Sequence, residues 1–254
     1  MVKVLAQYLT AGAFAAQAGV HWAFGSCPQR GAPHQQLGGA AALIAAVAYL
    51  GMACGIFQGR AASSASSESR PFFHLQYLER ALGPSILLLN LATLARERRS
   101  SSGALVAAWC TQVLALYLGQ LAQVGQRWLF LLASIASLAC VGISLCAAMG
   151  GRLHQSPLMT VYQLVATIIC LCGLGFCILF LCSQVLPCVD FDLEVVLGAV
   201  LDYCLIGVSS LAIACAGPEK HRPLLPSQEE DLSLYPGPHH HGFFPNLDFY
   251  EDNL

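Results

Sequence analysis

Long apolar stretches separated by short polar connections follow one another along most of the chain. Each is long enough for the roughly 20-residue α-helix that crosses the hydrocarbon core of a bilayer. The pattern predicts seven transmembrane helices, near residues 4–24, 37–57, 73–94, 103–124, 128–149, 158–186 and 191–215. The first stretch lacks the cleavage site of a signal peptide, and we interpret it as a retained helix. The predicted fold is all-α, an integral membrane bundle of seven transmembrane helices.

The last part of the chain has a different composition. Residues 217–254 are polar, contain several prolines and are rich in acidic residues. Such a segment has too little apolar surface to fold, so we predict a disordered cytosolic tail. The predicted organisation is a membrane domain over residues 1–216 followed by a tail over 217–254. Three adjacent histidines in the tail, His239, His240 and His241, are interpreted as a solvated run and not as a metal site.

Composition supports a membrane protein and excludes other classes. Of 254 residues, 56% are hydrophobic and 10% charged, with a mean hydropathy of +0.62. A water-soluble surface needs more charge than this. The net charge is -2, which gives no basic footprint for nucleic acid. Ten of the 12 cysteines lie inside the apolar stretches, where we interpret them as small apolar residues.

The distribution of Lys and Arg predicts the orientation in the membrane. With the N-terminus outside, the inner side collects seven basic residues and the outer side four. The inner set is Arg30, Arg96, Arg98, Arg99, Arg152, Lys220 and Arg222, and the outer set is Lys3, Arg60, Arg70 and Arg127. Because basic residues concentrate in cytoplasmic connections, we predict an outside N-terminus and a cytosolic C-terminus.

Five polar side chains interrupt the third and seventh helices. Glu79, Arg80 and Asn90 lie in the third, and Glu194 and Asp202 in the seventh. A charge inside a spanning helix costs roughly 2.5–3.5 kcal/mol, so each of these residues is a candidate for function. One interpretation is a stepped path for protons or ions. The other is structural: Arg80 and Glu194 reach towards an interface, and Glu79 pairs with Asp202.

The sequence of the third helix, YLERALGPSILLLNL at residues 77–91, resembles the third helix of the microbial (type 1) rhodopsins. In that family the helix begins Tyr-x-Asp-Trp, contains a Thr-Thr-Pro-type centre and ends its Leu-rich run in a carboxylate. The resemblance places Glu79 on the Schiff-base counterion and Asn90 on the cytoplasmic proton donor. It implies a seven-helix rhodopsin-like fold.

The other helices extend the resemblance. Asp202 in the seventh helix falls on the second counterion, and Glu194 falls on a proton-release carboxylate. Tyr49-Leu-Gly-Met52 in the second helix resembles the family's Tyr-Leu-x-Met, and Arg127 matches in position before the fifth helix. The resemblance covers most of residues 4–215.

Residues that hold the family's retinal are replaced. The family attaches retinal to a Lys four residues after the second carboxylate, where this chain has Ile206, and its two lysines are Lys3 and Lys220. Since a Schiff base needs a lysine amine, we expect no covalent retinal. The Trp that follows the counterion is replaced by Arg80, and the sixth helix has no Trp. We therefore expect no cofactor, and a retinal held noncovalently is the least favoured alternative.

Three functional hypotheses remain open. The first is a non-photochemical membrane protein that acts through membrane or tail partners. The second is an ion or proton channel or transporter that uses Glu79, Asp202, Glu194 and Asn90, and the third is a photoreceptor-like protein with a noncovalent chromophore. The sequence contains no Ser/His/Asp arrangement, HExxH motif or Gly-rich phosphate loop, so we predict that it is not an enzyme. The predicted partners are the lipid bilayer, ions or protons, cytosolic proteins at the tail and a second copy of the chain.

Overall fold

The computed structural model describes residues 2–25, 33–61, 70–94, 99–149, 159–186 and 188–216. The predicted tail over 217–254 lies outside the described residues. Within them the chain forms seven long helical segments, which confirms the predicted all-α bundle. The helices are α1 (Val2–Gly25), α2 (Pro33–Ala53), α3 (His74–Leu94), α4 (Arg99–Leu121), α5 (Arg127–Met149), α6 (Met159–Phe180) and α7 (Phe191–Asp202).

Two of these segments continue through a π-helical turn. Helix α6 passes into the turn Leu181–Val185. Helix α7 passes into the turn Tyr203–Val208 and then into α8 (Ser209–Ala216), so that α7, the turn and α8 form one continuous seventh segment. A π-helical turn inserts one extra residue into the helix and is frequent at functional sites.

In the described part of the chain, five helical stretches are long and apolar enough to cross a membrane. They are Gln35–Ala53, Ser102–Leu121, Val124–Met149, Met159–Val185 and Phe191–Cys215. Helices α1 and α3 are not among them. The third helix carries His74, Glu79 and Arg80, and the first is rich in Ala with two Gln residues, which lowers the hydropathy of both. Both nonetheless pack into the same bundle.

A short β-hairpin connects α2 to α3, and the sequence pattern did not indicate it. Strand β1 (Gln58–Ala61) pairs antiparallel with β2 (Arg70–Phe73), with Gln58 opposite Phe73. Helix α2 ends at Ala53, earlier than the hydropathy indicated, because a turn follows in which Gly55 and Phe57 adopt positive φ values of 72° and 55°. The apolar residues of this turn lengthen the hydrophobic stretch beyond the helix.

The outer faces of the bundle are apolar, as lipid solvation requires, and its interior is a largely apolar core that also contains buried polar and charged side chains. Large apolar side chains on the outer faces, such as Leu129 and Ile143, are exposed. The interior contains Trp109, Tyr49 and Ile206, together with buried charged groups. Polar groups that would be costly in lipid therefore meet one another between the helices.

Candidate functional site

Arg80 and Asp202 form an ion pair in the interior of the bundle. The Arg80 Nε donates to Asp202 Oδ1 at 2.9 Å and Nη2 donates to Oδ2 at 3.1 Å. The Tyr49 hydroxyl donates to Oδ2 at 2.6 Å. The side chains of Arg80 and Asp202 are 8% and 1% exposed. Two parallel hydrogen bonds fix the relative orientation of the two groups, so this pair joins α3 rigidly to the seventh segment.

Contacts with α4, α6 and α7 also hold Arg80 in place, the first at its backbone and the other two at its side chain. The Trp109 Nε1 of α4 donates to the Arg80 carbonyl at 2.8 Å. The guanidinium carbon lies 4.1 Å from the ring centroid of Phe176 in α6, a cation–π contact. On α7, a Cβ added to Gly198 would lie 2.7 Å from Arg80 Nη2. The absence of a side chain at Gly198 therefore lets the guanidinium lie against α7, one turn before Asp202.

This geometry corrects the structural interpretation of Arg80. The sequence placed Arg80 close enough to an interface for its charged end to reach the headgroups, and it offered Glu79 as the partner of Asp202. In the structure Arg80 is buried and is itself the partner of Asp202. Hydropathy could not show this, because the rotation of α3 that turns Arg80 inward depends on packing against α4, α6 and α7.

Glu79 is buried beside this pair, and its carboxylate oxygens lack hydrogen-bond donors among the described residues. The residue is 1% exposed. A Cβ added to Gly83 would lie 3.7 Å from Glu79 Oε1 and 2.6 Å from the Ile206 Cδ1. Glu79 and Ile206 therefore border the same narrow space over Gly83. We call Tyr49, Glu79, Arg80, Trp109 and Asp202 the central polar cluster.

Glu194 belongs to a second polar group, at the end of the bundle where α6 turns into α7. Its Oε1 accepts from Ser183 Oγ at 3.0 Å and from Gln184 Nε2 at 3.3 Å. The buried Arg127 donates through Nη1 to the Gln184 carbonyl at 2.8 Å. Ser183 and Gln184 were not among the sequence-predicted residues, since uncharged side chains at the end of an apolar stretch carry little signal.

Asn90 lies away from both groups. It is fully buried in α3, and its carbonyl accepts from the Thr93 hydroxyl at 2.7 Å. The five predicted residues therefore do not form one site: Glu79, Arg80 and Asp202 come together, while Glu194 and Asn90 lie apart from them. Tyr49 and Trp109 complete the central polar cluster, and of these the sequence singled out only Tyr49, as part of a motif.

A third polar group joins α1 to the seventh segment. The Gln17 Nε2 donates to the Gly207 carbonyl and to Ser210 Oγ, both at 2.7 Å. His21 Nε2 lies 3.2 Å from the same Ser210 Oγ. Gly207 lies in the π-helical turn Tyr203–Val208, where the altered hydrogen-bonding pattern leaves its carbonyl open to a side chain.

The structure is similar to solved structures of rhodopsins. The rhodopsin of Coccomyxa subellipsoidea, a light-driven proton pump, has a TM-score of 0.79 and 20% identity, and the alignment covers 85% of this chain and 97% of that chain. A thermophilic rhodopsin from Rubrobacter xylanophilus has a TM-score of 0.75 and 20% identity, over 84% and 95%. Halorhodopsin, a light-driven chloride pump, has a TM-score of 0.77 and 18% identity, over 84% and 94%.

The sequence itself matches a family model. The model, described as bacteriorhodopsin-like protein, matches residues 6–205. The match ends one residue before Ile206. No curated protein matches the sequence.

This match corrects the expectation that the chain has no cofactor. The family is one of retinal proteins, and the solved structures that share the fold include light-driven pumps. Light-driven transport requires a chromophore, so family membership implies retinal. The prediction of no cofactor was drawn from the missing lysine and the missing tryptophans, and it is contradicted because membership of this family implies a chromophore.

The match spans far more than half of the 254 residues, and it runs through six helices and most of the seventh segment. The fold agrees over nearly the full length of the solved structures. The chain therefore belongs to the bacteriorhodopsin-like family, the microbial rhodopsins.

Proposed function

We propose that this protein is a non-photochemical member of its family, a multipass membrane protein that acts through membrane or tail partners and not as a light-driven pump. The observation that carries this proposal is the ion pair between Arg80 and Asp202. By resemblance, Asp202 falls on a carboxylate that faces the cation of the retinal linkage. In this chain the cation that faces Asp202 is the guanidinium group of Arg80.

The chemistry of arginine argues against a photocycle at this place. A proton pump needs a group that gives up a proton and regains it. A guanidinium keeps its positive charge throughout the physiological pH range. The Arg80–Asp202 pair is also fixed by two hydrogen bonds and by Tyr49. It supplies a permanent charge balance for Asp202 and has no proton to exchange in a cycle.

Residue 206 supports the same proposal. Ile206 has no amine, and its side chain is fully buried with Cδ1 directed at Gly83 of α3. The residues present therefore do not fit a covalently attached retinal at this position. A retinal that occupies this bundle would be held by noncovalent contacts alone.

We also infer the orientation from the charge distribution, with the N-terminus outside and the C-terminus cytosolic. Lys3 lies 3.6 Å from Asp192, so the start of α1 and the start of α7 are at one end of the bundle. The connection between α6 and α7 then faces outward. Because relatives of similar fold are pumps, and the central polar cluster contains no pair of a nucleophile and a base, we infer that the protein is not an enzyme.

The test is an absorption spectrum of the purified full-length protein after addition of all-trans retinal, beside an Ile206→Lys variant. We expect the native protein to show only the band of free retinal, and no proton flux in liposomes under illumination. The variant is the control, since a red-shifted visible band in it alone would show that the missing amine is what prevents linkage. A visible band or light-driven flux in the native protein would overturn the proposal.

One observation favours a second function, passive transfer of protons or ions. Glu79 is buried, and its two carboxylate oxygens have no partner among the described residues. No hydrogen bond to another described residue occupies this carboxyl group, whereas Asp202 is bound to Arg80. In this alternative the path uses Glu79, Asp202, Glu194 and Asn90. Liposome flux that is lost in both Glu79→Gln and Asp202→Asn would support it, and background flux in the native protein would exclude it.

A further inference from the structure

Two cysteines meet where α6 ends. Cys182 lies in the π-helical turn Leu181–Val185. Cys188 follows this turn, and its backbone contacts that of Cys182. The Cys188 N–H donates to the Cys182 carbonyl at 2.9 Å, and the Cys188 thiol donates to the same oxygen at 3.3 Å. Both cysteines are free, with Cys188 exposed and Cys182 partly buried.

We propose that Cys182 and Cys188 are the site of an intramolecular disulfide that locks this turn. Residues joined by a backbone hydrogen bond have Cα atoms about 5–6.5 Å apart, within the range of Cα separations found in disulfides. The Cys188 Sγ already lies against the backbone of Cys182. The sequence interpretation treated Cys182 as a small apolar residue. Its partner could not be recognised, because only the fold-back after the turn brings the two together.

The reaction is a thiol–disulfide exchange with a small disulfide such as oxidised glutathione. The more accessible thiolate, that of Cys188, attacks one sulfur of the oxidant, and one glutathione thiol leaves. The Cys182 thiolate then attacks the mixed disulfide at the Cys188 sulfur, and the second glutathione leaves. The protein loses two thiol hydrogens and gains one S–S bond, while the oxidant is reduced to two thiols.

The location of the pair suits an oxidising compartment. Cys188 precedes α7, whose early residue Asp192 contacts Lys3 near the start of α1. In the proposed orientation this end of the bundle is outside, where disulfides form and persist. The exposed Cys188 thiol is accessible there to a soluble oxidant.

The bridge would stabilise the second polar group of the bundle. The enclosed segment contains Ser183 and Gln184, whose side chains donate to the Glu194 carboxylate. The Gln184 carbonyl accepts from Arg127. A bond from Cys182 to Cys188 restricts the unfolding of this turn, so the oxidation state of the two thiols controls how firmly Glu194 and Arg127 are held.

The experiment uses the full-length protein in nanodiscs, first reduced and then incubated with oxidised glutathione. Peptide mapping by mass spectrometry is expected to find Cys182 joined to Cys188. Thiol labelling after denaturation is expected to show a loss of two reactive thiols, reversed by dithiothreitol. An unchanged thiol count, glutathione retained on Cys188, or a disulfide-linked dimer would each overturn the proposal.

Matched variants separate this bridge from other cysteine chemistry. Cys182→Ala and Cys188→Ala should each abolish the bridged peptide, whereas Cys215→Ala, at an exposed cysteine in α8, should leave it unchanged. In the bridged protein we expect hydrogen exchange at Ser183 and Gln184 to slow by about tenfold. Equal exchange rates in the bridged and reduced forms would refute the control of this turn by oxidation.

Discussion

Arg80 in α3 and Asp202 at the end of α7 are joined by two hydrogen bonds of 2.9 and 3.1 Å, although 122 residues separate them in the chain. A buried pair of this kind is costly to break, because the remaining charge has no water to solvate it. We expect Arg80→Leu to lower the free energy of unfolding by about 3–5 kcal/mol, as measured by thermal or denaturant unfolding in detergent.

The double variant Arg80→Leu with Asp202→Leu tests whether the unpaired carboxylate causes the loss of stability in Arg80→Leu. Since it removes both charges, we expect it to recover most of the stability that the single variant loses. A control at Leu129, which is 67% exposed on the outside of α5, should change little when replaced by Ala in detergent. A double variant as unstable as the single one would show that the loss arises from packing of the arginine stem and not from the unpaired carboxylate.

Gly198 provides the space for the Arg80 guanidinium, so Gly198→Ala should displace it. The added methyl group would lie 2.7 Å from Arg80 Nη2, and relief of that contact should cost about 1–3 kcal/mol of stability. The matched control is Gly12→Ala in α1, where a Cβ meets nothing within 4 Å. This change should leave stability equal or slightly higher. Similar melting temperatures for the two variants would contradict the close approach of Arg80 to α7.

Glu79 and Glu194 differ in their partners, and their substitution by Leu should have opposite effects. Glu79→Leu removes a buried carboxyl group that has no hydrogen-bond partner among the described residues, which should stabilise the protein by about 1–3 kcal/mol. Glu194→Leu removes the acceptor of Ser183 and Gln184 and should destabilise it. Paired thermal denaturation of the two variants measures this. A loss of stability in Glu79→Leu would indicate that Glu79 has a partner in the membrane.

The partner hypothesis predicts a separate role for the C-terminal residues. Deletion of residues 223–254 should remove co-purifying proteins and leave the melting temperature of the helical bundle unchanged, because the deleted segment is polar and acidic. Affinity purification of both forms, followed by mass spectrometry, compares the partner sets. An identical set for the full and shortened chains would exclude the tail as the binding segment.

Helix number and polarity were predictable from the sequence because both depend on local composition. An apolar stretch of sufficient length must form a helix in lipid, since it has no other way to satisfy its backbone. The same rule marked Glu79, Asp202 and Asn90 as buried, because no polar side chain at such depth remains in contact with lipid. The family resemblance followed from short motifs in the third and seventh helices.

The pairing of these residues was not predictable in the same way. Whether Asp202 meets Glu79 or Arg80 depends on the rotation of α3, and Gly198 and Trp109, on other helices, determine that rotation. The hairpin was missed because its strands, Gln58–Ala61 and Arg70–Phe73, have only four residues each. A run of four residues is too short to show the alternation of apolar and polar positions that identifies a strand.

The bonds from Gln17 to Gly207 and Ser210 have a consequence for biosynthesis. Gln17 is 190 residues from Gly207 and 193 residues from Ser210, so α1 is synthesised well before the segment that supplies its polar contacts. Helix α1 also falls outside the stretches that are apolar enough to span a membrane by composition alone. Until the seventh segment is made, the Gln17 amide must stay solvated by water, lipid headgroups or the insertion machinery. These hydrogen bonds therefore form only after the seventh segment has been made, and a chain truncated before Gly207 lacks both partners of the Gln17 amide.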